Sequence, residues 1–185
     1  MNPKVKGLPQ LNTEQKTPKH DELQIKLLDK ELLLKYITND PIIKIKIDRI
    51  ISSANRKFNP DTYSYATPYE DKYLSHSIEL SNPTLEYVVK SNNGFISGYI
   101  DVVLQVQLLV NIRRIEKEEK QEFTRKEVFT LGIEIKPTIS TMGEILRQLQ
   151  TYKSLTGFHI VIFTPEIKYK TIFEGQGFSY WGESE

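Results

Sequence analysis

The sequence predicts a mixed α+β or α/β domain, a β-sheet with helical cover, and three observations carry that prediction. Leucines recur at helical spacing near the start, at 23, 27, 28, 32 and 34. Apolar and polar residues then alternate from Thr84 onward, as half-buried strands require. A second helical pattern at 141–154 leads into FHIVIFT, a short continuous apolar run typical of a strand covered on both faces.

Taken in order, residues 1 to about 19 are rich in Lys, Pro, Gln and Thr and read as a flexible arm. The leucine stripe then predicts a helix over 21–37, whose apolar face suits a core better than a dimer seam. Asp40-Pro41 reads as an N-cap followed by proline at the first helical position. IIKIKIDRII is ambiguous between helix and strand, and the cap signal favours helix. A loop with Asn59-Pro60 and tyrosines at 63, 65 and 69 follows, its rings packing on the core rather than stacking on bases. Thr67-Pro68-Tyr69-Glu70 has the form of a capping box and predicts a short helix ending at Asn82-Pro83.

Leu85, Tyr87 and Val89 then mark a strand, Asn92-Asn93-Gly94 a turn, and 95–111 a long second strand. RRIEKEEKQEFTRK, residues 113–126, reads as a solvated charged connection with no core in it. A strand over 127–136 stops at Pro137. Thr141-Met142-Gly143-Glu144 is another capping box, opening a helix with Ile145, Leu149 and Tyr152 on one face, and Gly157 closes it. A helix-like turn and the FSYW strand finish the chain. The division is an arm at 1–19, an N-terminal helical extension at 20–66 and a core at 67–185.

At 185 residues the chain can bury a real core without staples. It has no cysteine, which excludes disulfides, thiolate zinc sites and cysteine-held clusters. Lys+Arg 25 against Asp+Glu 24 leaves a net charge of +1, so any basic groove must be local. No signal-like or membrane-spanning stretch is evident, and a cytoplasmic protein is expected. The three histidines, His20, His76 and His159, lack metal-ligand spacing, and His159 in a buried strand reads as structural. Neither a P-loop, a Gly-x-Gly-x-x-Gly nor a Gly-x-Ser-x-Gly motif occurs.

Five Glu-x-Lys tripeptides occur, at Glu14-Lys16, Glu70-Lys72, Glu118-Lys120, Glu134-Lys136 and Glu166-Lys168. Only Glu134-Ile135-Lys136 sits inside a predicted central strand, with Leu131, Ile133 and Ile135 on one face and Gly132, Glu134 and Lys136 on the other. A carboxylate and an ammonium there are costly unless paired or functional. The plain alternative is a strand-end ion pair. Asp101 interrupts GYIDVVL where a central strand favours Val or Ile. Should 95–111 and 127–136 pair, Asp101 can fall beside Glu134. Two carboxylates brought together call for a cation, and oxygen-only ligands point to Mg²⁺ or Mn²⁺ rather than zinc. Gln148 and Tyr152 share one face of the following helix.

Together these residues resemble the PD-(D/E)xK nuclease superfamily. GYIDVVL supplies the aspartate as Asp101, GIEIKP supplies Glu134 and Lys136, and QLQTY matches the Gln-x-x-x-Tyr motif of the RecB-like and type I restriction branch. Ile100 stands where the family often has proline, and the iron–sulfur subgroup is ruled out by the missing cysteines. The resemblance covers about 67–164 and implies a restriction-endonuclease-like sheet flanked by helices. It further implies catalytic Asp101, Glu134, Lys136 and Gln148, and a metal held by Asp101, Glu134 and the Ile135 carbonyl. Tyr152 would brace its helix or touch the nucleic-acid backbone, and Glu70, with Glu79 beside it, is a weaker acidic candidate. The implied activity is Mg²⁺- or Mn²⁺-dependent hydrolysis of phosphodiester bonds, foremost in DNA, with no membrane partner and a homodimer left open. A silent nuclease-fold subunit that binds nucleic acid or serves in assembly, and an unrelated α+β protein with a structural ion pair, are the alternatives.

Overall fold

A computed structural model describes residues 17–60 and 67–182 of the chain. Most of the expected arm, the tyrosines at 63 and 65, and the Glu14-Lys16 tripeptide lie outside the described residues. Within them the protein is a mixed α+β fold, a seven-stranded mixed sheet flanked by helices on both faces. Three helices come first: α1 (Pro18–Leu27), α2 (Lys30–Asn39) and α3 (Pro41–Ser52). The strands β1 (Arg56–Phe58), β2 (Tyr69–Leu80), β3 (Thr84–Lys90), β4 (Ile96–Glu116) and β5 (Glu119–Ile135) follow. Then come α4 (Met142–Thr156), β6 (His159–Phe163), α5 (Lys170–Gly175) and β7 (Ser179–Trp181). The order across the sheet is β1-β2-β4-β5-β6-β7, with β3 also paired to β4.

The expected helix over 21–37 is two helices. The Asp29 carboxylate accepts from the Leu32 N–H at 2.8 Å, and this N-cap starts a new helix where the first has ended. The first already begins at Pro18, inside the stretch read as arm. Asp40 caps α3 as expected, accepting from both Ile42 N–H and Ile43 N–H, so the ambiguous IIKIKIDRII is helical. Leu23, Leu27, Leu33, Ile37, Ile43 and Ile47 are buried against Val102, Leu104, Val106, Leu108, Leu131 and Ile133 of the sheet. Each such side chain contributes roughly 1.5–3 kcal/mol on burial. The three helices therefore form one layer of the main core.

Two expectations fail for a shared reason. Thr67-Pro68-Tyr69-Glu70 does not start a helix: Tyr69–Leu80 is a strand, paired antiparallel with β4 from Glu70↔Ile115 to Leu80↔Val106. Residues 113–126 are not a loose connection either. They are the far end of the β4–β5 hairpin, closed at Lys117-Glu118, whose φ values of 46° and 73° are those of a two-residue primed turn. Both segments are held as strands by ladder hydrogen bonds, to the remote β4 in the first and across the hairpin itself in the second, and these outweigh the local pattern.

The opposite face carries the second core. Val103, Ile160 and Ile162 pack there under Ile145, Leu149 and Tyr152 of α4, with Phe173 and Phe178 beyond. Since β6 alternates between the two cores, it is covered on both sides, as its apolar run predicts. It runs parallel to β5, which places α4 as the crossover between them. Gly157 in the left-handed conformation ends α4, although Thr141 makes no side-chain cap bond at its start. Trp181 of β7 donates to Asp40 at 2.8 Å and stacks on Tyr36, tying the last strand to the helical layer. Among the described residues no helix is long and apolar enough to cross a membrane.

Candidate functional site

Strands β4 and β5 stay in register from Glu116↔Glu119 to Val102↔Ile133. Beyond that pair the ladder gives way to a side chain. Asp101 Oδ2 accepts from the Ile135 N–H at 2.8 Å, where a strand carbonyl would otherwise receive it. On the other side of β4, the pairing with β3 joins Leu85 to Val102 and Tyr87 to Ile100 but skips the position between them. Glu86, which would face Asp101 there, has φ of 53°, a left-handed conformation that costs a non-glycine residue about 1–3 kcal/mol. Backbone strain and a buried carboxylate thus occur side by side.

Glu134 and Lys136 flank Ile135 on β5. Both are buried, 3% and 5% exposed, and Lys136 Nζ lies 3.0 Å from Glu134 Oε1. From α4, Gln148 Nε2 donates to the same Glu134 oxygen at 3.0 Å and to the Tyr152 hydroxyl at 2.8 Å. Tyr152 in turn donates to the Tyr99 carbonyl at 2.9 Å, which returns the network to β4. Burial, with the nearby Glu134 charge second, pushes the Tyr152 phenol up to about 12, so it remains a proton donor in this network. The close approach of Tyr152 requires Gly98, since a Cβ there would collide with the phenol oxygen.

Asp101, Glu134, Lys136, Gln148 and Tyr152 therefore meet at one end of the sheet. Asp101 joins the group through the Ile135 peptide, while Gln148 links Glu134 to Tyr152. Glu70 is elsewhere, on β2 opposite Ile115 near the hairpin's far end, where it forms a half-exposed pair with Lys72 at 3.5 Å. Glu79, also on β2, lies opposite Gln107. Neither belongs to this cluster.

One residue was missed in the sequence. His20, buried on α1, places Nε2 3.1 Å from Asp101 Oδ1, and Gln24 one turn on donates to the Asp101 carbonyl at 3.2 Å. The signal was available only as a histidine in the first turn of the leucine-striped helix, and its target is 81 residues further along. By contrast His159 is structural as read: it bonds Ser179 at 2.7 Å, and burial lowers its pKa to about 4.

Among the described residues no group of three or more His, Cys, Asp or Glu side chains is placed to hold a metal ion. The donors at this end are two carboxylates and the main chain at Ile135. Magnesium and manganese sites are commonly built from one or two carboxylates with water completing the shell. In the present arrangement Lys136 neutralises Glu134 and His20 contacts Asp101. No family model, no curated protein and no solved structure matches the chain.

Proposed function

We propose that this protein is a metal-dependent nuclease that hydrolyses phosphodiester bonds, foremost in DNA, on a restriction-endonuclease-like core. The carrying observation is the buried Glu134–Lys136 pair, one peptide away from the Asp101 carboxylate at a strained end of the sheet. Burying such charges is worthwhile where a reaction needs them, since a purely structural pair is often matched by apolar packing.

Asp101, Glu134 and the Ile135 carbonyl would hold the Mg²⁺ or Mn²⁺ ion, which when bound lowers the pKa of a water and polarises a phosphate. Lys136 supplies a fixed positive charge to balance that building on the phosphate oxygens. Gln148 and the Tyr152 hydroxyl behind it hold the Glu134 carboxylate in one orientation. His20 does the same for Asp101. The expected setting for such an enzyme is the cytoplasm.

Glu134→Gln and Lys136→Met should each reduce Mg²⁺-dependent cleavage by at least about 10³-fold, in line with removal of groups aimed at transition-state charge. The assay takes single-stranded, duplex and branched DNA and RNA, with circular dichroism to show that each variant is folded. Wild-type cutting rates in either variant would sink the mechanism. One observation favours a second reading, a silent nuclease-fold module that binds nucleic acid or serves in assembly. Both carboxylates are already contacted by cationic or imidazole side chains, which would close the site to a metal. Calorimetry separates the two, because the silent module takes up no Mg²⁺ or Mn²⁺.

A further inference from the structure

Strand β4 changes phase at Asp101. Val102 and Leu104 belong to the core under the three N-terminal helices, whereas Ile100 and Val103 belong to the core under α4. Strict alternation would put Ile100 and Val102 on one face. Counted back from Val103, Asp101 would enter the second core; counted on from Ile100, it would enter the first. Either continuation would bury a carboxylate among aliphatic side chains, which is costly. The slip leaves it instead between strands, with Oδ2 on the Ile135 N–H at 2.8 Å. On β3 the left-handed Glu86, with φ of 53°, lies at the same slip, and the β3–β4 pairing passes over the two residues together. Local breaks of this kind re-aim one side chain out of a regular ladder.

The first helix reaches into this slip. Gln24 Nε2 donates to the Asp101 carbonyl at 3.2 Å. Leu23 and Leu27, 4% and 0% exposed, anchor α1 on the sheet next to Gln24 and one turn beyond Leu23, so the amide is presented from a fixed support. His20, one turn earlier, touches the carboxylate itself. Gln24 by contrast grips the peptide from which that carboxylate hangs. The carbonyl carbon and Cβ share the Asp101 Cα, so a carbonyl held in one direction also holds the side chain in one direction.

We infer that Gln24 is a positioning residue: its bond to the Asp101 carbonyl holds the phase slip in β4 and so aims the Asp101 carboxylate at the Ile135 peptide, beside Glu134. Its effect on cleavage rests on the nuclease reading of that site, whereas its hold on Asp101 does not. Contacts that orient a ligating group from behind, without touching the reacting atoms, typically control activity about 10–100-fold. The helical extension therefore does more than cover the sheet, because α1 supplies the bond that orients the aspartate of the core. An ordinary helix-docking bond, the plainer role, would stabilise the fold without governing where Asp101 points.

The test follows the Ile135 amide in NMR spectra of the full chain, nitrogen-labelled at isoleucine, with the signal assigned through Ile135→Val. Asp101→Ala marks where that signal falls once the carboxylate is gone. Gln24→Leu, which cannot donate, should move it most of the way to the same position. Gln24 is half-buried, so this change leaves the chain folded. Leu28→Ala thins the packing at the end of the same helix. It should lower the urea midpoint and leave the Ile135 signal in place. With Mg²⁺ and DNA, Gln24→Leu should lower kcat about 10–100-fold with KM nearly unchanged, and Leu28→Ala should alter neither. An Ile135 signal unmoved by Gln24→Leu would overturn the inference. So would an equal displacement in Leu28→Ala, since helix packing in general would then be the cause. A moved signal with an unchanged kcat in a protein that cuts would overturn it as well. A signal that moves with Gln24→Leu and not with Leu28→Ala, in a protein that never cuts with Mg²⁺, supports the hold on Asp101 and removes only the nuclease reading.

Discussion

The two ends of the β4–β5 ladder each carry a close ion pair, and they have little else in common. At the turn end Arg113 reaches Glu122 at 2.6 Å, with side chains 41% and 59% exposed. At the other end Lys136 reaches Glu134 at 3.0 Å, with side chains 6% and 4% exposed. Distance alone would rank the first as the stronger. Environment reverses the order, because water screens the first pair and is largely excluded from the second. The desolvation of Glu134 and Lys136 is a standing cost that only their mutual contact and bonds such as that from Gln148 offset.

Breaking that buried pair should therefore give the largest change in stability. Lys136→Met leaves the Glu134 carboxylate without its ammonium and should cost about 3–5 kcal/mol in urea unfolding. Converting both members to apolar residues, Glu134→Leu with Lys136→Met, should recover most of that loss, since neither charge is then buried. A double variant as unstable as the single one would mean that Glu134 and Lys136 hold the fold itself, and the case for a functional pair would weaken.

The same contrast explains what could be read in the sequence. The buried end was legible: Leu131, Ile133 and Ile135 alternate with Gly132, Glu134 and Lys136, and one face enters each core as that alternation requires. Asp101, Gln148 and Tyr152 were also legible, because the apolar strand and helix around them fixed their phase. The exposed end was not. In 113–126 both faces of the hairpin are polar or partly exposed, so no apolar alternation announces a strand, and the Lys117-Glu118 turn lacks the glycine or asparagine that would signal it. Tyr69–Leu80 failed similarly: a local capping pattern was visible, whereas its ten-residue pairing with β4 was not. His20 was lost because its meaning lies wholly in a tertiary contact with Asp101.

Histidines sharpen the comparison at an intermediate scale. His159 is partly buried at the start of β6 and bonded to Ser179, and its pKa falls to about 4, chiefly through desolvation of the charged form. A folded value below the unfolded one of about 6.5 means that the unfolded chain binds the extra proton first. The resulting stability is fully present above pH 6.5 and is lost as pH falls toward 4. Its ceiling is on the order of 3 kcal/mol. Urea midpoints measured at pH 7 and pH 5 should fall more in the wild type than in His159→Gln, and parallel profiles would show that His159 is not the titrating group.

The smallest effect belongs to the pair with the shortest contact. Arg113 donates to Glu122 through both Nε and Nη2. It does so across a solvated ladder where Asn111 also bonds Ser75 and accepts from Thr124. Glu122→Ala removes a screened attraction and restores rotamer freedom to two long side chains, so the net loss should be about 0–1 kcal/mol and shrink further in high salt. A salt series of urea midpoints for wild type and Glu122→Ala reads this directly. A loss comparable to that of Lys136→Met, persisting in high salt, would mean that the far end of the hairpin is shielded from water. The contrast between the two ends would then lie in their chemistry and not in their exposure.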